Sequence, residues 1–358
     1  MAAIPDSVTD PVAAAIFAAW KRRGDAQPPR TYIGASVIGK ECSRALWYDF
    51  RWCGSPDFSG RMYRLFDRGQ REEAAFVTDL QAIGMTVYEV DPSTGQQFAF
   101  TDLGGHLGGH CDGIATGVPN APRSPVVLEF KTHSSKSFAV LKKDGVAKAK
   151  PEHMAQMQLY CHWTIQQWGD NGCDRALYVA VNKDTDDIYT ERIKYDKAMA
   201  EALIEKAKTI IKAGDVPPEK IGGPDWYACK WCHHHETCHG TNVPAPNCRN
   251  CAYASAKLDG NKRWTCDKHG SDLTAQQQAQ GCDNHRFIPP LLGNFATPSD
   301  FKDGKVIYMM RDGSGTFANG DLTSKEIAAL HDKASLPNLL NDQYIIGLRE
   351  HFGAEVVG

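Results

Sequence analysis

Seven of the twelve cysteines fall between Cys229 and Cys282, and that crowding limits what the second half of the chain can become. Residues 221 to 290 leave almost no room for a hydrophobic core, so their fold is expected to be held by metal instead of apolar burial. A secreted disulfide framework would distribute its cysteines more evenly. Cys53, Cys111, Cys161 and Cys173 sit among apolar or aromatic neighbours and read as small buried hydrophobes. Cys42 is the exception: it is either a ligand of the first cysteine set or, if a histidine takes that place, merely buried.

The crowded cysteines form two sets. Cys229-x-x-Cys232 followed by Cys238 supplies three thiolates, one short of the four that a tetrahedral zinc or a cuboidal cluster takes. The fourth ligand is either Cys42 or, with zinc, one of His233, His234, His235 and His239. The second set is Cys248-x-x-Cys251, then Trp264-Thr265-Cys266, then Cys282-x-x-His285. Two knuckles joined by a short β segment make a zinc-ribbon-like pattern. Cys248, Cys251, Cys266 and Cys282 are the expected ligands, with His285 the substitute and His269 a weaker one. Such a module either grips DNA or serves as scaffold.

Upstream, apolar residues at Val12, Ile16, Phe17 and Trp20 follow a helical period. Ser36 reads as the cap of a second helix running through Cys42, Leu46 and Trp47, and a third runs from about Arg61 until Gly84 stops it. Strand signals follow over 85–90, 97–101, 106–114 and 126–131. A helix from about Ser134 leads to a longer one, from Pro151 to about Trp168. Strands over 175–181 and 187–194 and a helix over 196–213 complete an α/β core near residue 220. A last segment carries a strand over 306–311 and a helix opened by the capping box Thr323-Ser324-Lys325-Glu326.

On the strand Val126-Val127-Leu128-Glu129-Phe130-Lys131, residues two apart share a face. Glu129 and Lys131 therefore project together while Leu128 and Phe130 enter the core, which places a charged pair at a sheet edge. An isolated Glu-x-Lys triplet is ordinarily a surface ion pair of little consequence. Here Asp112, in Gly109-His110-Cys111-Asp112-Gly113, is expected to end the neighbouring strand of a hairpin. Two hard carboxylates would then converge at one point, a site suited to Mg2+ or Mn2+, with Lys131 beside it to orient or deprotonate water. The helix from Pro151 puts His153, Gln156 and Tyr160 on one face, and the helix from Arg61 offers Glu72 and Glu73.

In this order of residues the chain resembles the PD-(D/E)XK nucleases, and within them the RecB-like branch that includes CRISPR-adaptation exonucleases and many bacteriophage recombination nucleases. The resemblance covers roughly residues 30 to 240. The family has a helical Glu after a Gly, an Asp ending a strand, a Glu-x-Lys on the next strand and a Gln-x-x-x-Tyr on the following helix. Glu73, Asp112, Glu129 with Lys131, and Gln156 with Tyr160 match these positions; Cys111 stands where the family name implies proline. The resemblance implies that Asp112 and Glu129, helped by Glu73, bind the divalent metal. It implies that Lys131 acts on the attacking water and that Gln156 and Tyr160 position the substrate strand. It also implies that Cys42, Cys229, Cys232 and Cys238 hold a 4Fe-4S cluster that staples the ends of the domain.

The expected fold is thus α/β: a restriction-endonuclease-like core with a central mixed sheet flanked by helices, a cysteine-rich metal-bound extension, and a small C-terminal α/β segment. Its expected segments are residues 1–30 (helix and linker), 31–240 (nuclease), 241–290 (zinc-ribbon-like) and 291–358 (role open). The formal net charge of −3 excludes a uniformly basic nucleic-acid coat. Six lysines against Asp144 between Lys131 and Lys150 nevertheless offer a phosphate track. The longest apolar run, Val12 to Trp20, is about half of a bilayer span and lacks a preceding basic region. A soluble protein of a bacterial or phage-infected cytoplasm is expected. The function expected is a metal-dependent deoxyribonuclease, an exonuclease acting on single-stranded or duplex DNA ends in recombination, repair or phage replication, with a recombination or replication protein as the partner class. A structure-specific endonuclease and a non-catalytic DNA-binding accessory protein are the alternatives.

Overall fold

Strand period and helix period alternate through the first two hundred residues, and the computed structural model, which describes residues 10–339 and 341–355, follows them closely. The chain divides into two compact units, Met1–Glu41 with Phe58–Lys208, and Cys42–Asp57 with Thr209–Gly358. The division crosses the segments expected from sequence, because the stretch after Glu41 belongs with the cysteine-rich half.

In the first unit come α1 (Pro11–Asp25), β1 (Ile33–Gly34) and α2 (Ala35–Ile38); α3 (Ser43–Phe50) belongs to the second unit. The single helix expected from Ser36 through Trp47 is therefore two. Gly34 precedes α2 as its cap, and Cys42 caps α3, its sulfur accepting from the Ala45 amide at 3.4 Å. The first unit continues with α4 (Gly60–Ala82), β2 (Thr86–Tyr88), β3 (Ala99–Asp102), β4 (Leu107–His110), β5 (Gly113–Thr116) and β6 (Val126–His133). After these come α5 (Ser135–Ala149), α6 (Pro151–Trp168), β7 (Arg175–Asn182), β8 (Ile188–Lys194) and α7 (Lys197–Lys212).

A five-stranded sheet has the order β2-β5-β6-β7-β8. Only β6 and β7 run parallel, joined through α5 and α6; the other pairs are antiparallel. β6 therefore lies at the centre of the sheet and not at an edge. One face of β6 meets a core built from Phe76, Val77 and Leu80 of α4 with Leu128, Phe130, Leu177 and Val179. The stretch expected as one strand over 106–114 is two: β4 joins a separate sheet, β1-β4-β3, and β5 joins the central one.

In the second unit, β9 (Ala254–Ala256), β10 (Trp264–Cys266) and β11 (Ser271–Asp272) form a small antiparallel sheet. β12 (Ala296–Lys302), β13 (Lys305–Met310) and β14 (Thr316–Asn319) form another, followed by a helix (Ser324–Ala329) whose Thr323/Glu326 capping box is present as expected. The middle of this unit is unusual. Arg51 and Arg249 are buried among Trp47, Trp264 and Phe50. Arg51 donates to the carbonyls of Arg249 (2.8 Å) and Ala213 (3.0 Å), and Arg249 to Phe50 O (3.1 Å) and Gln278 Oε1 (2.9 Å). Burial draws them down to about 10 and about 9. No helix among the described residues is long and apolar enough to cross a membrane.

Candidate functional site

Alternation along β6 sends Leu128 and Phe130 into the core, where Phe130 stacks on Phe76 with ring centroids 5.1 Å apart. Glu129, Lys131 and His133 consequently share the opposite face. The antiparallel register Gly113↔Leu128 brings Asp112, the residue just before β5, level with Glu129. Asp112 thus sits at the join between two sheets, next to the first residue of β5. Its Oδ2 accepts from the Phe130 amide at 2.6 Å. Gly113 is required there, because a Cβ would come within 2.9 Å of the Tyr88 carbonyl oxygen. Glu73 lies one helical turn before Phe76 on α4, and its charge interacts with Asp112, Glu129 and Lys131. The first unit therefore gathers three carboxylates and one ammonium.

Glu129 is fully buried and forms an ion pair with Lys131; apart from this, neither of its oxygens has a hydrogen-bond partner among the described residues. Burial pushes Glu129 up, Asp112 and Glu73 push the same way, and Lys131 opposes. Asp112 is raised by burial, against Lys131 and the Phe130 amide. Glu73 is pushed up to about 7 by burial and then by Asp112. Burial draws Lys131 down, but Glu129, Asp112 and Glu73 outweigh it and the net effect is a rise. Three carboxylates that resist ionising together are what a hard cation would relieve, and Glu129 Oε2, without a partner among the described residues, fits such a ligand.

α6 covers this polar face. Tyr160 Oη donates to the His110 carbonyl at 2.6 Å, and Gln156 Nε2 donates to Tyr160 Oη at 3.2 Å. The hydroxyl reaches that carbonyl only because residue 109 is glycine; a Cβ there would lie 2.7 Å from it. Both side chains are buried and their bonds brace the turn that carries Asp112. Sequence reading passed over Tyr178, level with Glu129 on β7, and His133; as strand residues with ordinary alternation they gave no signal. The expected lysine track lies on α5, where Lys136, Lys142, Lys143 and Lys148 are exposed.

In the second unit, Cys42, Cys229, Cys232 and Cys238 line one cavity together with His234, His235 and His239. Burial raises Cys229 and Cys238, and the Cys42 thiol adds to both. His239 Nε2 is buried without a hydrogen-bond partner among the described residues. His233 turns instead to Asp49, whose Oδ1 lies 2.9 Å from its Nε2 and 2.8 Å from that of His234. These three form a compact potential ligand group; the His run was visible in sequence, whereas Asp49 was not. Cys248, Cys251, Cys266 and Cys282 line a second cavity of about 260 Å³ with His269 and His285. His269 Nε2 is 3.7 Å from Cys282 Sγ, while His285 Nε2 faces Asn247 O (3.0 Å) and Asn250 Oδ1 (2.8 Å). Burial pushes Cys248 up to about 11, with Cys251, Cys282 and Cys266 adding to it.

No protein-family model matches the chain, and no curated protein matches it. Among solved structures it is similar to SSO0001, at 14% identity over 64% of this chain and 98% of that one, with a TM-score of 0.38. It is also similar to an alkaline exonuclease (LHK-Exo) from Laribacter hongkongensis, at 18% identity over 54% of this chain and 90% of that one, with a TM-score of 0.33. The same exonuclease in complex with dAMP aligns at 17% identity over 55% and 90%, with a TM-score of 0.32. At these scores the likenesses decide neither fold nor chemistry, which rest on the residues described above.

Proposed function

We propose that the chain is a divalent-metal-dependent deoxyribonuclease of the PD-(D/E)XK type, acting as an exonuclease on DNA ends. The observation that carries this reading is the buried Glu129 carboxylate, paired only with Lys131 among the described residues, beside Asp112 and Glu73. Asp112 and Glu129 would hold Mg2+ or Mn2+, with Glu73 completing the set. When bound, the cation supplies charge neutralisation at the phosphate and lowers the pKa of water. Lys131 keeps its proton in this carboxylate environment; with one N–H given to Glu129 and one to the Phe130 carbonyl at 2.9 Å, its third would orient the attacking water. Gln156 and Tyr160 hold the Asp112 turn, and the α5 lysines supply a phosphate track. Recombination, repair and phage replication are the settings that generate such ends.

In the same reading Cys42, Cys229, Cys232 and Cys238 hold a 4Fe-4S cluster, since a cubane takes four thiolates and this wall offers four. Zinc with His239 is the second reading, favoured by its unpartnered Nε2. Cys248, Cys251, Cys266 and Cys282 would bind zinc, with His269, next to Cys282, as well placed as His285 to substitute.

The test is digestion of end-labelled linear and covalently closed circular DNA, single- and double-stranded, with Mg2+ or Mn2+, comparing wild type with Glu129→Ala. Degradation of linear DNA alone by the wild type, with the variant inert, supports the exonuclease, and the label gives its polarity. Cutting of circles replaces it with the endonuclease; DNA binding without cutting leaves the accessory role.

A further inference from the structure

A chain of wholly or partly buried hydrogen bonds runs beside the carboxylate site and ends in a donor that no described protein group receives. It starts at Lys150, whose Nζ lies 2.6 Å from Ser137 Oγ. Ser137 Oγ is 3.2 Å from His133 Nδ1, and His133 Nε2 is 2.8 Å from Tyr178 Oη. Tyr178 Oη is in turn 2.9 Å from His153 Nδ1. The direction of the chain follows from the donor inventory. An ammonium only donates, so Ser137 accepts from Lys150 and gives its single proton to His133 Nδ1. A neutral His133 then carries its proton on Nε2 and donates to Tyr178, which donates to His153 Nδ1. His153, if neutral, must carry its proton on Nε2.

Both imidazoles are held neutral. Burial, then Lys150 and Lys131, draw His133 down to about 4, and burial, Lys131 and His133 draw His153 down to about 3. His133 lies two residues beyond Lys131 on the same face of β6, and Tyr178 is level with Glu129. His153 is half-buried and lies one turn before Gln156 on the face of α6 that covers the site. The relay thus leaves one fixed donor, Nε2–H, on the half-buried imidazole at its end.

We propose that His153 is a substrate-contacting residue whose Nε2–H, oriented by the Lys150–Ser137–His133–Tyr178 relay, donates to a non-bridging oxygen of a phosphate next to the one cleaved. This inference rests on the nuclease reading. A neutral donor at that point holds the strand without a charge that would titrate, and it does so beside Lys131 without like-charge repulsion.

The experiment measures cleavage of a linear strand carrying one methylphosphonate, which removes the phosphate charge, at either neighbour of the cleaved position. Wild type, His153→Leu, His153→Gln and Tyr178→Phe are compared with Mg2+, and Glu129→Ala is the blank. At one neighbour the methylphosphonate should slow wild type by about 10- to 100-fold, the range for a hydrogen bond to a charged group. His153→Leu should be slowed comparably on the natural strand and lose little more on the modified one, because the two changes remove the same bond. His153→Gln, which restores a donor, should recover most of the rate. Should His153→Leu not fold, Tyr178→Phe, which frees the tautomer and leaves the imidazole, should show a loss confined to the natural strand. Losses that multiply at both neighbours overturn the inference and leave the nuclease reading intact. A wild type that cuts nothing overturns both.

Discussion

The cation-free protein should be destabilised by its own active-site carboxylates, and Glu73 is where this can be measured. Its carboxyl is pushed from 4.5 to about 7, by burial first and by Asp112 second, with Lys131 opposing. A group whose folded pKa is raised contributes stability that is complete below its unfolded value and lost as pH rises through the folded one. At about 1.4 kcal/mol per pH unit, the span from 4.5 to about 7 amounts to about 3 kcal/mol at pH 8. Replacing Glu73 by Gln keeps the shape and removes the titration. Solvent screens this half-buried carboxyl, so without added cation Glu73→Gln should match wild type near pH 4 and exceed it by about 1–2 kcal/mol at pH 8. Because the chain has two units, amide hydrogen exchange in α4 and β6 is a better measure than a global melt. Mn2+ at pH 8 should reverse the ranking, stabilising wild type more than Glu73→Gln. A Glu73→Gln difference that is flat with pH would refute the assignment of Glu73 to the site.

Three further outcomes are expected. Asp112→Ala, Glu129→Ala and Lys131→Ala should each abolish cleavage while retaining DNA binding; Lys131→Ala alone should also cost about 3–5 kcal/mol at pH 8, measured by exchange at β6, because it strands buried carboxylates. Metal analysis of anaerobically purified protein should find about four irons per chain with a brown colour, and Cys42→Ser should bleach it; a colourless protein containing only zinc would assign the first cysteine set to zinc. Tyr160→Phe should reduce stability by about 1 kcal/mol through loss of the bond to the His110 carbonyl, and it should weaken cation binding at Asp112, read by Mn2+ titration.

Most helices and strands of the first unit were legible because their periodicity is local, as in α4, α6, β7 and β8. The errors came where a neighbour decides the outcome. β6 read as an edge strand because nothing in Val126 to Lys131 reveals that β7 will pair with it in parallel from across two helices. That pairing turns a solvated Glu-x-Lys into a buried one. The break between β4 and β5 was hidden because its cause, the approach of the Gly113 backbone to Tyr88, is tertiary. Cys42 was placed inside a helix when it caps one, since a thiol is a weak acceptor and does not advertise a cap. The gathering of Glu73, Asp112, Glu129 and Lys131 was expected in order, but Tyr178 and His133 could be found only from the register.

The excursion of residues 42–57 out of the first unit has a consequence for the order of synthesis. Leu46, Trp47, Tyr48 and Phe50 are buried in the second unit, and Arg51 is bonded to carbonyls at 213 and 249. All of these leave the ribosome well before the residues that cover them. Until the cysteine-rich half is made, the apolar side chains of α3 are an adhesive surface. Chains truncated after α7 should therefore aggregate even though every strand of the catalytic sheet is present. Folding waits on the excursion, not on the sheet.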